Sequence, residues 1–362
     1  MPAIFEAICK SAINICGQNS HYRADSMGEF ELIERYFKRP VARARLGVGD
    51  DCALLTASAG CELAVSTDML VEGRHFLPCA DAGDAYSLGH KALAVNLSDL
   101  AACGATPLAF TLALALPEAD EPWLAGFASG LFALADRHHI ELIGGDTTRS
   151  VMPLPGSQAP QLKLGAGPVV IAITVLGEVP NRQALLRSGA QPGDDIWVSG
   201  ELGDARLALG RYLGEWPLDD AIFNVARRRM HQPTPRVALG CALRGIATSA
   251  IDVSDGFLGD LRHVLQRSGA GARIDADTLP RSAGLSAQPL ALQRLCTLAG
   301  GDDYELIFTA PPASRSTVLQ VAASTATPVT HVGVVNVGSS VTLLDAHGAV
   351  IDAAFASFDH FA

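Results

Sequence analysis

Ile251-Asp252-Val253-Ser254-Asp255-Gly256 is the stretch that decides how this chain is read. The apolar run over 250–253 reads as a short buried strand, and a helical pattern follows over 257–267. Between them stand two aspartates and a glycine. A carboxylate at the end of a buried strand is held rigidly by the sheet yet reaches a ligand in the crevice there. Working outward, aspartates recur at the ends of apolar strands, next to glycine. They are Asp50-Asp51 after Gly49, Asp68 in Ser66-Thr67-Asp68, Asp99 in Asn96-Leu97-Ser98-Asp99, Asp146 after Gly144-Gly145, and Asp302-Asp303 after Gly300-Gly301. Any one of these alone is most simply a turn residue or a helix cap. Repetition at seven sites points to a shared task.

The strands that carry them alternate with helices. Helical spacing of Phe30, Ile33, Tyr36 and Phe37 ends at Pro40. The stretches 52–57 and 62–65 flank Ser58-Ala59-Gly60 and predict a hairpin. Helices are expected over 85–102 and 123–138, and strands over 110–116, 140–143 and 169–175. Residues 150–167, rich in Pro and Gly without a period, predict a surface loop. In the second half, strands over 196–199, 250–253, 304–309, 331–335 and 341–344 alternate with helices over 205–213, 221–230 and 257–267, and another helix after Pro235. The fold class is α/β with mixed sheets, in two domains over 27–180 and 181–362. Residues 1–26 end in a polar stretch and read as an extension, with Met27 as the expected start.

Composition narrows the function. With 49% hydrophobic residues among 362, the chain can fill two ordinary cores. A net charge of −11 argues against a nucleic-acid partner, which calls for a basic face. The eight cysteines contain no C-x-x-C pair and are expected to be reduced thiols in a cytoplasmic protein. No apolar run reaches the roughly 18 residues that a membrane span needs.

If the carboxylates converge, they require cations. Two of them about 4 Å apart repel by roughly 4 kcal/mol at an effective dielectric near 20. Oxygen donors without His or Cys favour Mg²⁺ or Ca²⁺ over zinc, and Mg²⁺ completed by phosphate oxygens is the usual nucleotide-site arrangement. There is no G-x-x-x-x-G-K-[ST] loop and no protein-kinase signature, so phosphate binding would rest on metal, glycine-rich backbone and a few arginines.

The ordered set Gly47-Val48-Gly49-Asp50-Asp51-Cys52-Ala53, Ser66-Thr67-Asp68, Asn96-Leu97-Ser98-Asp99-Leu100-Ala101-Ala102, Gly144-Gly145-Asp146-Thr147-Thr148, Ile251 to Gly256 and Gly300-Gly301-Asp302-Asp303-Tyr304-Glu305-Leu306 resembles the thiamine-monophosphate kinases. That family shares the fold of aminoimidazole-ribonucleotide synthetase and selenophosphate synthetase. The resemblance implies metal ligands at Asp51, Ser66, Thr67, Asp68, Asp99, Asp146, Asp252 and Asp255. It implies ATP contacts at Gly145, Asp146, Arg187 and Ser254, and substrate contacts at His75, Asp302 and Phe355. At 302 the family pattern has glutamate, one methylene longer, and near Phe355 tryptophan can occur. The implied reaction is Mg²⁺-dependent transfer from ATP to thiamine monophosphate in a homodimer whose N-terminal domain forms the interface. Two other readings stand at this point: another ATP-using reaction of the same fold, resembling aminoimidazole-ribonucleotide synthetase, and a non-catalytic Mg-nucleotide sensor. A calcium-binding protein is disfavoured, because no EF-hand loop spacing occurs.

Overall fold

The computed structural model describes residues 27–77, 84–157, 164–352 and 355. The expected extension over 1–26 lies outside the described residues. The described chain opens on helix α1 (Glu29–Leu32), which runs on as a π-helix over Ile33–Phe37. Phe37 is buried together with Leu32, whereas Phe30, counted in the expected apolar face, is 84% exposed.

The first sheet contains β1 (Cys61–Val71), β2 (Thr106–Leu116), β3 (Glu141–Arg149) and β6 (Val170–Pro180), in the order β1-β6-β2-β3. Only β2 and β3 run parallel. The hairpin expected over 52–57 and 62–65 does not form. Leu54 makes an isolated bridge to Leu46, and β1 pairs instead with β6 from Cys61↔Pro180 to Val71↔Val170. The reason lies in packing. Ala53 and Leu55, with Val41, cover Ala44, Leu108, Ala109 and Ile143, so this segment caps the β2–β3 side rather than extending β1. Residues 150–167 are not all loop either: β4 (Val151–Pro153) and β5 (Leu164–Ala166) pair as an antiparallel ribbon.

Cross-strand partners share a face of a sheet, which sorts the side chains of the first sheet. Thr67, Thr174, Thr111 and Gly144 lie in one row, and Met69, Ala172, Ala113 and Asp146 in the next. This face is open: Leu63, Val65 and Met69 are exposed on it. The alternate residues of β1, among them Ser66 and Asp68, point to the opposite face, which helix α2 (Ala85–Cys103) covers.

Helix α2 is apolar almost all round, which marks a buried helix rather than a surface one. Asp84 caps its start by accepting from Ser87 N (2.6 Å), and Gly104 in the left-handed conformation ends it. Its partner α3 (Glu121–His138) crosses it closely. A Cβ at Gly130 would lie 1.8 Å from the Tyr86 carbonyl oxygen, so a side chain there would push the helices apart.

The second sheet has the order β12-β9-β11-β7-β10-β8, from β7 (Asp195–Ser199), β8 (Ser249–Asp252), β9 (Gly271–Asp275), β10 (Leu306–Ala310), β11 (Val329–Asn336) and β12 (Val341–Leu344). Only β12 and β9 run parallel. Around it lie α4 (Asp204–Tyr212), α5 (Asp220–His231), α6 (Val237–Ala242), α7 (Phe257–Ser268), α8 (Ala283–Ser286), α9 (Leu290–Ala299) and α10 (Arg315–Ser324). Strand β9 and helices α8, α9 and α10 were not among the elements expected from sequence. The two sheets meet through α2, which packs on β1 and β6 on one side and on β8 and α6 on the other. Among the described residues no helix is long and apolar enough to cross a membrane.

Candidate active site

Because α2 is shared by both sheets, its polar residues are buried where the sheets meet, and each finds a partner. Asn96 Oδ1 accepts from Asp68 N (3.1 Å). Ser98 donates to Asp252 Oδ2 (2.7 Å), and the Ser66 hydroxyl donates to Asp99 Oδ2. One helix therefore ties the backbone of Asp68 in β1, its own carboxylate and the carboxylate ending β8 into one cluster. Two of these positions differ from the expected strand ends: Asp68 lies within β1, which continues to Val71, and Asp99 lies on a helix. Asp252 ends β8, and Ser254 and Asp255 follow in the loop before α7.

The electrostatics are those of a crowded acidic pocket. Burial pushes Asp68 up to about 6, with Asp99 and Asp255 adding to the shift. Burial also raises Asp252, reinforced by Asp99. Asp99 is raised by burial, against the pull of the Ser66 hydrogen bond and the Arg187 charge. A cavity of about 340 Å³ opens beside them, lined by Ser66, Asp99, Leu185, Arg187, Ile251 and Asp252. The backbone of its wall is fixed at both ends: Leu185 N donates to Cys103 O (2.9 Å), and Ala250 N donates to Leu186 O (2.9 Å). The guanidinium of Arg187 on this wall carries up to five donors in a planar fork.

The loop bearing Ser254 and Asp255 is held by a residue that the motif reading missed. Asp260, buried in the first turn of α7, accepts from Ser254 N (3.1 Å), Asp255 N (3.2 Å) and Gly256 N (3.1 Å), all at Oδ2. Burial and the charge of Asp255 push it up to about 7. An acidic residue four positions past Gly256 was the available signal, since a first-turn carboxylate often returns to backbone amides. Asp260→Asn, whose amide oxygen accepts the same three bonds, is expected to keep turnover within about tenfold of the parent. Asp260→Ala is expected to lose on the order of a hundredfold, because it frees the loop that positions Asp255. Steady-state rates alongside thermal melts check this, and equal losses in both variants would contradict it.

Opposite this loop, Asp302 N donates to Ser254 O and Tyr304 N to Val253 O (both 2.8 Å). Asp302 and Tyr304 have φ of 71° and 53°, a left-handed path that carries the motif across the strand end. The carboxylate of Asp302 pairs with Lys91 of α2. Behind it, Asp303 is buried and accepts from Gly203 N (2.8 Å and 3.0 Å), while Glu305 accepts from Ser199, Arg229 and Arg236.

The remaining expected residues stand apart from this cluster within one chain. Asp146 is on the open face of the sheet, on the strand at the other edge from β1, and three strand spacings of about 4.8 Å separate those edges. Gly145 is beside it, where a Cβ would lie 1.9 Å from the Leu112 carbonyl oxygen. Asp51 is in the exposed segment whose apolar residues pack on the β2–β3 side. Thr67 faces the open side and pairs with Thr174 (2.8 Å). His75 follows β1 in a turn, its Nδ1 accepting from Val71 N (3.0 Å). Phe355 packs with Val341 and Ile351 against the core of the second sheet.

Residues 49–179 match the family described as AIR synthase related protein, N-terminal domain, and residues 191–345 its C-terminal domain. The thiamine-monophosphate kinase of Salmonella typhimurium is 43% identical over 343 residues, spanning 92% of this chain and 98% of that one. The chain belongs to the thiamine-monophosphate kinase family. The enzyme of that name from Escherichia coli K12 is 42% identical over 341 residues, covering 92% and 98% of the two chains. Among solved structures, thiamine-monophosphate kinase from Stenotrophomonas maltophilia superposes with a TM-score of 0.74 at 45% identity, over 83% of this chain and 91% of that one. AaThiL complexed with AMPPCP and TMP superposes at 0.69 with 27% identity, over 84% and 89%. The fold alone extends further, to the E. coli hydrogenase maturation protein HypE at 20% identity and a TM-score of 0.68, over 90% and 96%. Membership in the kinase family thus agrees with the mixed α/β architecture and with the resemblance carried by the aspartate motifs.

Proposed function

We propose that this protein transfers the γ-phosphoryl group of ATP to the phosphate of thiamine monophosphate, giving thiamine diphosphate and ADP. The observation that carries this reading is the convergence of Asp68, Asp99 and Asp252 beside Arg187, in a chain 43% identical to a thiamine-monophosphate kinase over almost its whole length. ATP and the acceptor are both anions, so the chemistry to be done is mainly the holding together of two groups that repel each other. A phosphate monoester has its second pKa near ~6, so its attacking oxygen is already charged at pH 7 and no side chain need remove a proton. Cations held by the carboxylates, with an arginine and backbone amides, would then suffice for positioning.

The donor set suits Mg²⁺. It consists of oxygen atoms, and its carboxylates are pushed up by burial first and then by one another, as expected where a cation is called for. Among the described residues no three Asp, Glu, His or Cys side chains close on a single point. That too suits Mg²⁺, which is usually held by one or two carboxylates with substrate phosphates completing its shell. Asp68, Asp99, Asp252 and Asp255, with the hydroxyl of Ser66, would hold several such ions, one or two carboxylates to each, whereas the Thr67 hydroxyl faces the open side of the sheet and bonds to Thr174. When bound, Mg²⁺ neutralises and orients the phosphate groups. In this reading Arg187 and Ser254 hold ATP, and His75, Asp302 and Phe355 hold the acceptor. Residues 27–180 form the N-terminal Mg-ATP-binding and dimerisation domain in this reading, and the C-terminal α/β domain over 181–362 adds Arg187, Asp252, Ser254, Asp255, Asp302 and Phe355.

The working unit we propose is a homodimer. The open face of the first sheet carries Leu63, Val65 and Met69, exposed and apolar, in the same face as Asp146. A second copy docked there would cover this face and supply Asp51, Gly145 and Asp146 to the neighbouring cluster. Light scattering should then give twice the chain mass. The described cysteines are free thiols, which agrees with a cytoplasmic setting, and the acidic balance with the absence of a nucleic-acid partner.

The acceptor is tested by comparing ADP release with thiamine monophosphate, free thiamine and no acceptor, each with ATP and Mg²⁺. Release that depends on the monophosphate supports the reading. Nucleotide binding without release under any of these conditions would favour a sensor instead.

A further inference from the structure

Lys91 lies in the buried stretch of α2, seven residues before Ser98, so the two fall on the same helix face, two turns apart. That face meets the second sheet, where Ser98 bonds to Asp252. The Lys91 side chain is only 4% exposed, whereas that of its partner Asp302 is 34% exposed. Among the described residues, Asp302 is the one hydrogen-bond acceptor of its ammonium, which carries three donors. Among the titratable groups that bear on this corner are His231, which senses Lys91, Asp302, Arg227 and Asp84, and Tyr304, which senses Asp302, Asp68 and Asp252.

Burying an ammonium is costly, and an apolar side chain of similar volume commonly serves stability as well or better. A lysine at this buried point of the helix is therefore a poor choice for folding alone. The half-open carboxylate in front of it is the part a ligand can touch. We propose that Lys91 is a positioning residue for the acceptor: it fixes the carboxylate of Asp302, at the end of its left-handed turn, in the orientation that grips the substrate. The inference rests on the proposed reaction and on Asp302 as an acceptor contact. It adds to that reading a residue on the nucleotide-domain helix that acts on the acceptor side.

Lys91→Met tests it, because methionine matches the stem without the charge and leaves Asp302 open enough for water to solvate it. Steady-state kinetics, thermal melts and calorimetric titration of thiamine monophosphate are run on wild type, Lys91→Met, Asp302→Asn and the double variant. The expected result is a rise in the KM for thiamine monophosphate of tenfold or more in Lys91→Met. The KM for ATP stays within about threefold and the melting temperature is not lowered. The double variant is expected to be little worse than Asp302→Asn, since coupled residues are non-additive. An unchanged acceptor KM in a folded Lys91→Met protein would overturn the inference, as would losses that multiply in the double variant. If Lys91→Met unfolds, Lys91→Gln takes its place, and an unchanged acceptor KM in that folded variant overturns the inference too. A wild-type protein that does not use thiamine monophosphate fails the functional reading first, and the role of Lys91 with it.

Discussion

Asp255→Asn and Asp68→Asn are each expected to lower kcat on the order of 10²–10³-fold, the usual loss when charge stabilisation is removed from a polar transition state. Asparagine keeps the shape and one oxygen of each side chain, so the loss isolates the charge. Asp68 is pushed up to about 6 by burial first, then by the charges of Asp99 and Asp255. Removing one negative charge relieves that repulsion. Without Mg²⁺ the two variants should therefore melt no lower than wild type, and a small rise is expected. Loss of activity with stability retained separates a functional carboxylate from a structural one. Near-normal turnover in both variants would contradict the metal assignment.

Arg236→Met is expected to destabilise the fold by about 3–5 kcal/mol, the range for removing one partner of a buried ion pair. Glu305 is only 1% exposed and accepts from Arg236 at 2.5 Å and 2.6 Å, from Ser199 at 2.6 Å and from Arg229 at 3.2 Å. Without Arg236 its carboxylate keeps a hydroxyl and a more distant guanidinium, and its desolvation is no longer offset. The control is Lys38→Met. It breaks a solvent-exposed pair with Glu34, four residues earlier in the π-helix that Lys38 ends, and should cost less than about 1 kcal/mol. Urea unfolding of the three proteins gives both differences, and a Lys38 variant as damaged as the Arg236 variant would refute the ranking. Glu305 belongs to the Asp302–Glu305 motif, so this pair also anchors the segment that presents Asp302 to the pocket.

Much of the fold was legible because apolar periodicity reports burial. The helix over 85–102 and the strands over 196–199 and 341–344 were read nearly to their ends, since their patterns are uninterrupted. Strand β9 was missed because Arg273 interrupts a five-residue run, too short for its period to speak. The hairpin over 52–65 was misread because a local pattern cannot reveal that Ala53 and Leu55 are used to cover a distant strand. The site divides in the same way. Aspartates next to glycine announce themselves as motifs, so Asp252 and Asp255 were found together with the loop that bears them. Lys91, Ser98 and Asp260 were not, because each is a polar residue inside a helix whose significance depends on which element packs against it. Nor could periodicity foretell that Asp146 and Asp68 would fall on opposite faces of one sheet. That follows from strand order and register, which long-range pairing sets.

Thiamine diphosphate measured against ADP, in a single reaction of purified protein with ATP, Mg²⁺ and thiamine monophosphate, tests the central claim most directly. One thiamine diphosphate per ADP, with no inorganic phosphate released, is the predicted result. ADP formed with inorganic phosphate, while thiamine monophosphate stays unchanged, would contradict it.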